Sequence, residues 1–275
     1  MLSPSFIMTP HKHTEEKTRL EAFAQPPAQI ILLIFVLVAA LQFPLGIVIQ
    51  KVSFVWGVVA NEVGVMLLLP LIILKLSGQS PKNLLPFGKT NRHYLLASIC
   101  LILGVAIIIF YLRVVSEMLA PLNDTLRMAL SQTLTVYGPL DTFLKLLLLC
   151  VLAPICEEMF FRGFIQRTFS RHVGKTFAIL ITAVFFAFMH PSTWHPHLYF
   201  ILGLTLSWIS AKTRTLRTPI LCHMINNTFV LIVQQYGLGF PVGGAGVWID
   251  VLAIFASSAL IVLGIFMLQK SRRHG

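Results

Sequence analysis

Glu157, Glu158 and Arg162 lie in the string CEEMFFRGF, His190 closes FFAFMHP, and His223, Asn226 and Asn227 lie in CHMINN, each at or near the end of a long uncharged apolar stretch. An ionised side chain at the centre of a membrane span costs roughly 2.5–3.5 kcal/mol on insertion scales, so such residues need a partner or a task. Helical spacing sorts them. Glu158 and Arg162 are four apart and share a face, which suits an acid-first ion pair. Glu157 points about 100° away around the helix and lacks that partner. His223 and Asn227 are four apart, as are Phe186 and His190, so an imidazole sits beside an amide on one helix and one turn after an aromatic shelf on another. One free carboxylate, two imidazoles and an amide can activate water and stabilise an oxyanion. Structural readings stand beside this. Glu158 and Arg162 can simply hold two helices together, His190 can be an interface residue, and the Asn pair can be an interhelical clasp, worth about 0.6 kcal/mol on average.

The elements that carry these residues are membrane spans. Of 275 residues 56% are apolar and 11% charged, against about a quarter charged in a soluble domain. That excludes an ordinary soluble globular protein. The net charge of +11 is spread in short clusters between apolar runs rather than in one basic patch, which argues for membrane orientation and against a nucleic-acid partner. The fold class expected is all-α, a polytopic transmembrane bundle of about eight spans. They are placed near Ile30–Ile49, Val52–Leu74, Leu95–Val115, Phe143–Phe161, Phe177–His190, Leu198–Ala211, Ile220–Val233 and Val247–Leu268. The three from Phe177 to Val233 are short for a bilayer core roughly 30 Å thick, and Pro44 and Pro70 should kink their spans rather than end them. The segment Ser116 to Asp141 mixes polar and apolar residues and reads as an amphipathic interfacial helix.

Alternating the loops puts 17 Lys and Arg on one side and four, namely Lys51, Arg113, Arg127 and Lys145, on the other. By the positive-inside rule both termini are cytoplasmic in the cell (inner) membrane, and the basic loops meet anionic lipid. The organisation expected is a cytoplasmic tail at 1–29, one membrane domain at 30–268 and a cytoplasmic tail at 269–275. The charged tail does not suit a cleaved signal peptide, so the first span is read as its own insertion signal. Cys100, Cys150, Cys156 and Cys222 form no CxxC pair and read as buried apolar residues, including the two that directly precede Glu157 and His223.

The ordered set EExxxR (Glu157, Glu158, Arg162), FxxxH (Phe186, His190) and HxxxN (His223, Asn227) resembles the CPBP family of intramembrane proteases, which includes the CAAX prenyl endopeptidases of the Rce type. The resemblance covers about 70 residues of the chain, in a protease-like core at 143–233. It implies an all-helical core and a glutamate-dependent peptide-bond hydrolase. Glu157 would activate water with His190, His223 and Asn227 would stabilise the oxyanion, and Glu158, Arg162 and Phe186 would order the site. A metal-dependent version stays open, in which Glu157, His190 and His223 ligate a divalent metal such as zinc with water in the fourth position. The HExxH spacing of soluble zinc peptidases is absent. The partners implied are membrane lipid and a membrane-anchored, lipidated or prenylated substrate, cut near the cytoplasmic half of the bilayer.

Competing readings are a transporter with Glu157 as proton carrier, a b-type haem protein with His190 and His223 as axial ligands, and a non-catalytic scaffold. No internal repeat supports the transporter, and the acidic pair is idle in a haem protein. Depth is a difficulty for every one of them. Counting from basic flanks at about 1.5 Å per residue, His223 lies roughly 9 Å from Arg217, Glu157 roughly 15 Å from Arg167 and His190 roughly 22 Å from Lys175. A tilted or kinked fifth span, or a membrane-thinning cavity, would have to bring them together. His195 and His197 in HPSTWHPH could form a metal loop with His190, though Pro191, Trp194 and Pro196 suit an interfacial turn, the reading preferred here. Glu62 and Asp250 are acids in or near spans that match none of the motifs, and either could line a cavity.

Overall fold

The computed structural model describes residues 26–81, 84–190, 195–236 and 246–270. Among the described residues the regular structure is entirely helical: α1 (Ala28–Val52), α2 (Phe54–Leu76), α3 (Arg92–Leu119), α4 (Asp124–Leu134), α5 (Pro139–His172), α6 (Lys175–Phe188), α7 (Pro196–Thr213), α8 (Arg217–Tyr236) and α9 (Val247–Lys270). The protein is an all-α polytopic membrane bundle. Every expected span falls on one of these helices, and α4 lies in the segment read as amphipathic. Five of them, α1, α2, α3, α5 and α9, are long and apolar enough to cross a membrane. Of the three expected to be short, α6 is, at 14 residues, whereas α7 and α8 extend to 18 and 20. Most of the expected tails, and Pro191 and Trp194, lie outside the described residues.

Local sequence explains the helix ends. Ser53 adopts an extended conformation between α1 and α2, and its side chain caps α2 by accepting from the Trp56 N–H. Asn91 caps α3 through the His93 N–H at 2.8 Å. α5 runs well past the expected boundary at Phe161 because no breaker occurs there. It starts with Pro139 in its first turn and stops only where Gly174, at a φ of +83°, turns the chain into α6.

Two of the long helices change register. α2 is π-helical over Ala60–Leu68, and α5 over Leu146–Leu152 and Met159–Ile165. At the end of the first α5 stretch the Ala153 N–H reaches five residues back to the Leu148 carbonyl. The next carbonyl, that of Leu149, would look to residue 154, a proline without an N–H. The carbonyl is left for a donor from elsewhere. Pro70 stands in the same relation to the π-helical stretch of α2, whereas Pro44 sits inside an uninterrupted α1.

The densest packing surrounds Arg162, where Phe160, Phe161, Phe164 and Phe186 are fully buried. Large apolar side chains such as Leu33, Val36, Leu252, Phe255 and Phe266 stay exposed on outer faces, as lipid-facing surfaces do. Small residues let α9 close on α3: a Cβ on Gly264 would lie 2.8 Å from the Ala97 carbonyl, and one on Gly104 would lie 2.6 Å from that of Ser257. Gly264→Leu should therefore cost about 1–3 kcal/mol by overpacking and lower the unfolding midpoint in detergent. An unchanged midpoint would mean that this close approach is dispensable.

Candidate active site

Arg162 organises the centre of the bundle. Its Nη1 donates to Glu158 Oε1 at 2.6 Å, the pair being fully buried. Its Nη2 donates to the Gly203 carbonyl on α7 at 3.0 Å, and its guanidinium stacks on Phe186, 4.7 Å from the ring centroid. One turn on, Gln166 Nε2 reaches the Ser207 carbonyl at 2.8 Å. Two i, i+4 donors on α5 thus meet two i, i+4 carbonyls on α7. Gly203 also lets α7 close on α6, because a Cβ there would press on Ala183 and Phe186 at 3.2 Å.

Glu158 Oε1 takes a second hydrogen bond, from His223 Nδ1 at 2.9 Å. His190 is held differently: its Nδ1 donates to the Phe186 carbonyl at 2.7 Å, a direction fixed because a carbonyl only accepts. With both Nδ1 atoms engaged, both Nε2 atoms are turned to Glu157, whose Oε2 lies 3.6 Å from that of His190 and 3.9 Å from that of His223. Phe186 lies under both rings, at centroid distances of 4.5 and 5.7 Å. Glu157 Oε2 is buried and has no hydrogen-bond partner among the described residues. Separations of 3.6 to 3.9 Å are too long for a direct hydrogen bond.

Asn227 completes the set through the open carbonyl of α5. Its Nδ2 donates to Leu149 O at 2.9 Å, and its Oδ1 accepts from Asn226 Nδ2 at 3.2 Å. One amide N–H of Asn227 is left to act. Asn226, expected only as half of an interhelical clasp, donates to its neighbour and orients that amide.

The expected depth mismatch is absent for two reasons. α5 continues to His172, so Glu157 and His190 are each fifteen residues from the α5–α6 hairpin, roughly 22 Å along their helices. The α7–α8 turn, for its part, is sunk beneath the preceding loop. Leu216 is fully buried and its N–H donates to the Pro86 carbonyl, Thr215 Oγ1 reaches the Gly88 carbonyl, and the Thr90 and Thr218 hydroxyls pair at 2.8 Å. That raises His223 to the level of the others.

A cavity of about 340 Å³ opens beside Glu157, His190, His223, Asn226 and Asn227 and runs along α3 and α8 to Arg113 and Glu117, away from the basic loops. α4 stands at this end, tied down by Lys145, which donates to the Gln132 and Thr135 carbonyls and pairs with Asp141 at 3.2 Å. Of the two unassigned acids, Glu62 lines the cavity and Asp250 does not: Asp250 accepts from the Tyr111 hydroxyl at 2.9 Å. His195 approaches Glu117 at 3.6 Å and His197 approaches Ser116 at 2.9 Å.

Glu157 stands somewhat farther from His190 and His223 than the ligands of a bound zinc ion stand from one another. Ligands at 2.0–2.1 Å in a tetrahedron stand about 3.3 Å apart, closer than the separations here, and among the described residues no three His, Cys, Asp or Glu side chains are grouped to hold a metal.

Residues 139–229 match the family model for Type II CAAX prenyl endopeptidases, Rce1-like, and that segment contains all seven motif residues. The chain is similar to “Putative membrane peptidase YdiL” of Bacillus subtilis, 34% identical over 33% of this chain and 37% of that one. It is also similar to UPF0177 protein YxdF of Lactococcus lactis, 28% identical over 34% of this chain and 52% of that one. With the membrane-embedded CAAX protease MroQ of Staphylococcus aureus it shares 24% identity over 60% of this chain and 68% of that one. The matches to the first two span only about a third to a half of those relatives. No solved structure matches. The resemblance read from the motifs is thus shown over the segment that builds the site.

Removing Arg162 would leave Glu158 buried without its cation. Arg162→Ala should destabilise by about 3–5 kcal/mol, and Arg162→Lys should recover only part, since one ammonium cannot span Glu158 and Gly203. Thermal unfolding in detergent measures both. A wild-type midpoint for the alanine variant would overturn the pairing.

Proposed function

We propose that the protein is an intramembrane endopeptidase that hydrolyses a peptide bond in a membrane-tethered substrate. The observation that carries this reading is the unpartnered Glu157 Oε2 held between two imidazole nitrogens at the wall of a cavity. A water seated there has an acceptor on Glu157 and another on His190, whose lone pair is fixed by the Phe186 carbonyl. As the water oxygen bonds to the substrate carbonyl carbon, its proton passes to Glu157. Charge grows on the carbonyl oxygen, where the remaining amide N–H of Asn227 donates. His223, held through Nδ1 by Glu158, turns its Nε2 to the same place. Arg162 and Phe186 act by holding these groups still.

The substrate follows from the surroundings. The cavity wall is mostly apolar and lies within the span region, so a segment already in the membrane reaches it by moving between helices. The similarity to a CAAX prenyl endopeptidase family and to a CAAX protease supports a lipidated or otherwise anchored protein as that segment. The excess of basic residues on one side supports cytoplasmic termini in the cell membrane.

Mass-spectrometric mapping of cleavage by purified protein in lipid tests the reading, using a farnesylated CaaX peptide, its unmodified twin and membrane-anchored peptides. Wild type should cut at least one, and Glu157→Gln should lose about 100-fold or more while keeping its fold, because an amide cannot take the proton from water. Retained turnover in that variant would move the base elsewhere. Activity should survive exhaustive chelation. Stoichiometric zinc that disappears together with turnover in His190→Ala would instead establish a metal mechanism.

A further inference from the structure

Resting on the peptidase reading, we propose that Glu62 is a second catalytic carboxyl group, the acid that protonates the departing amine. Glu62 lies on the π-helical stretch Ala60–Leu68 of α2, which packs against the turn Ala153–Glu158 that presents Glu157. It forms part of the wall of the same cavity and is only 7% exposed. Oε1 accepts from Asn61 Nδ2 at 3.2 Å, whereas Oε2 is buried with no hydrogen-bond partner among the described residues. A carboxyl group within a membrane bundle calls for a reason, and the other acids in the spans have theirs. Asp250 is hydrogen-bonded by Tyr111 and lies off the cavity wall, and Glu158 is occupied by Arg162 and His223. Of the three acids on the cavity wall, Glu117 stands beside Arg127 and His195, at 4.0 and 3.6 Å, which leaves Glu62 and Glu157, each with a buried unpartnered oxygen and carried on helical turns that pack together.

Two carboxylates facing one water-poor cavity cost more than one carboxylate and one neutral acid, the arrangement that divides base from acid in other two-carboxyl hydrolases. His190 and His223 stand on the Glu157 side of that cavity, and Arg113, Glu117 and His195 toward its far end. Hydrolysis then runs in a balanced way. Water adds to the carbonyl carbon and gives a proton to Glu157, the C–N bond breaks, and the amine nitrogen takes the proton of Glu62. Glu157 leaves the turnover protonated and Glu62 ionised, and one proton passing between them through cavity water restores the start. The π-helical register supports this role, since an extra residue in the turn is a common way to aim a functional side chain.

The test compares a peptide that the wild type cleaves with a twin whose scissile amide is replaced by a thioester, since a thiolate leaves without needing a proton. Glu62→Gln should lower amide hydrolysis about 100-fold or more, the scale of one general acid, and thioester hydrolysis less than about tenfold. Equal losses on both substrates would make Glu62 a merely structural residue, and wild-type amide turnover would remove it from the reaction, either result overturning the proposal. If the glutamine variant does not accumulate, Glu62→Asp, which withdraws the acid without deleting it, should show the same split at smaller size, and equal losses would again overturn it. Wild-type protein that hydrolyses neither substrate would instead overturn the peptidase reading itself.

Discussion

Arg162 and Glu158 are both wholly buried in a membrane bundle, and each is tolerable there only because of the other. Their bond also sets the rest of the site. Glu158 uses the same oxygen to hold His223, and Arg162 uses its second nitrogen to hold α7 and its flat face to hold Phe186, which supports both imidazoles. The ion pair is thus the datum from which the candidate site residues are measured. It also leaves Glu157, on the neighbouring face of the same turn, outside the neutralised cluster.

Backbone groups do much of the positioning. Phe186 holds His190, Gly203 and Ser207 hold Arg162 and Gln166, and Leu149 holds Asn227. Helices ordinarily keep their carbonyls for their own N–H groups. A helix end after Phe188 frees one here, and Pro154 following a π-helical stretch frees another. In a membrane, where an unsatisfied polar group is expensive, a freed carbonyl and a polar side chain satisfy each other.

The sequence made the membrane bundle legible through its uncharged runs, and it made the site legible through i, i+4 spacing: Glu158 with Arg162, Phe186 with His190, His223 with Asn227. Depth was not legible. It depends on how far α5 runs beyond its first basic residues and on a loop that buries Leu216, and neither leaves a mark on hydropathy. The π-helical turns were hidden as well, because Pro70 reads as a kink and Pro154 has no other trace. Glu62 was visible as an acid where acids are costly, yet only packing of α2 against α5 separates it from Asp250, which the same criterion flagged and which proves to be tied to Tyr111.

The loop from Pro86 to Thr90 has a consequence for how the chain can be divided. It lies well before residue 139, where the family match begins, yet its carbonyls and the Thr90 hydroxyl clamp the turn that sets the height of His223. The stretch that carries the recognisable motifs is therefore not a transplantable module. A chimaera that grafts it onto the front half of a distant relative inherits the motif side chains but not the strap that levels them, and only the pairing of the two halves would restore the register.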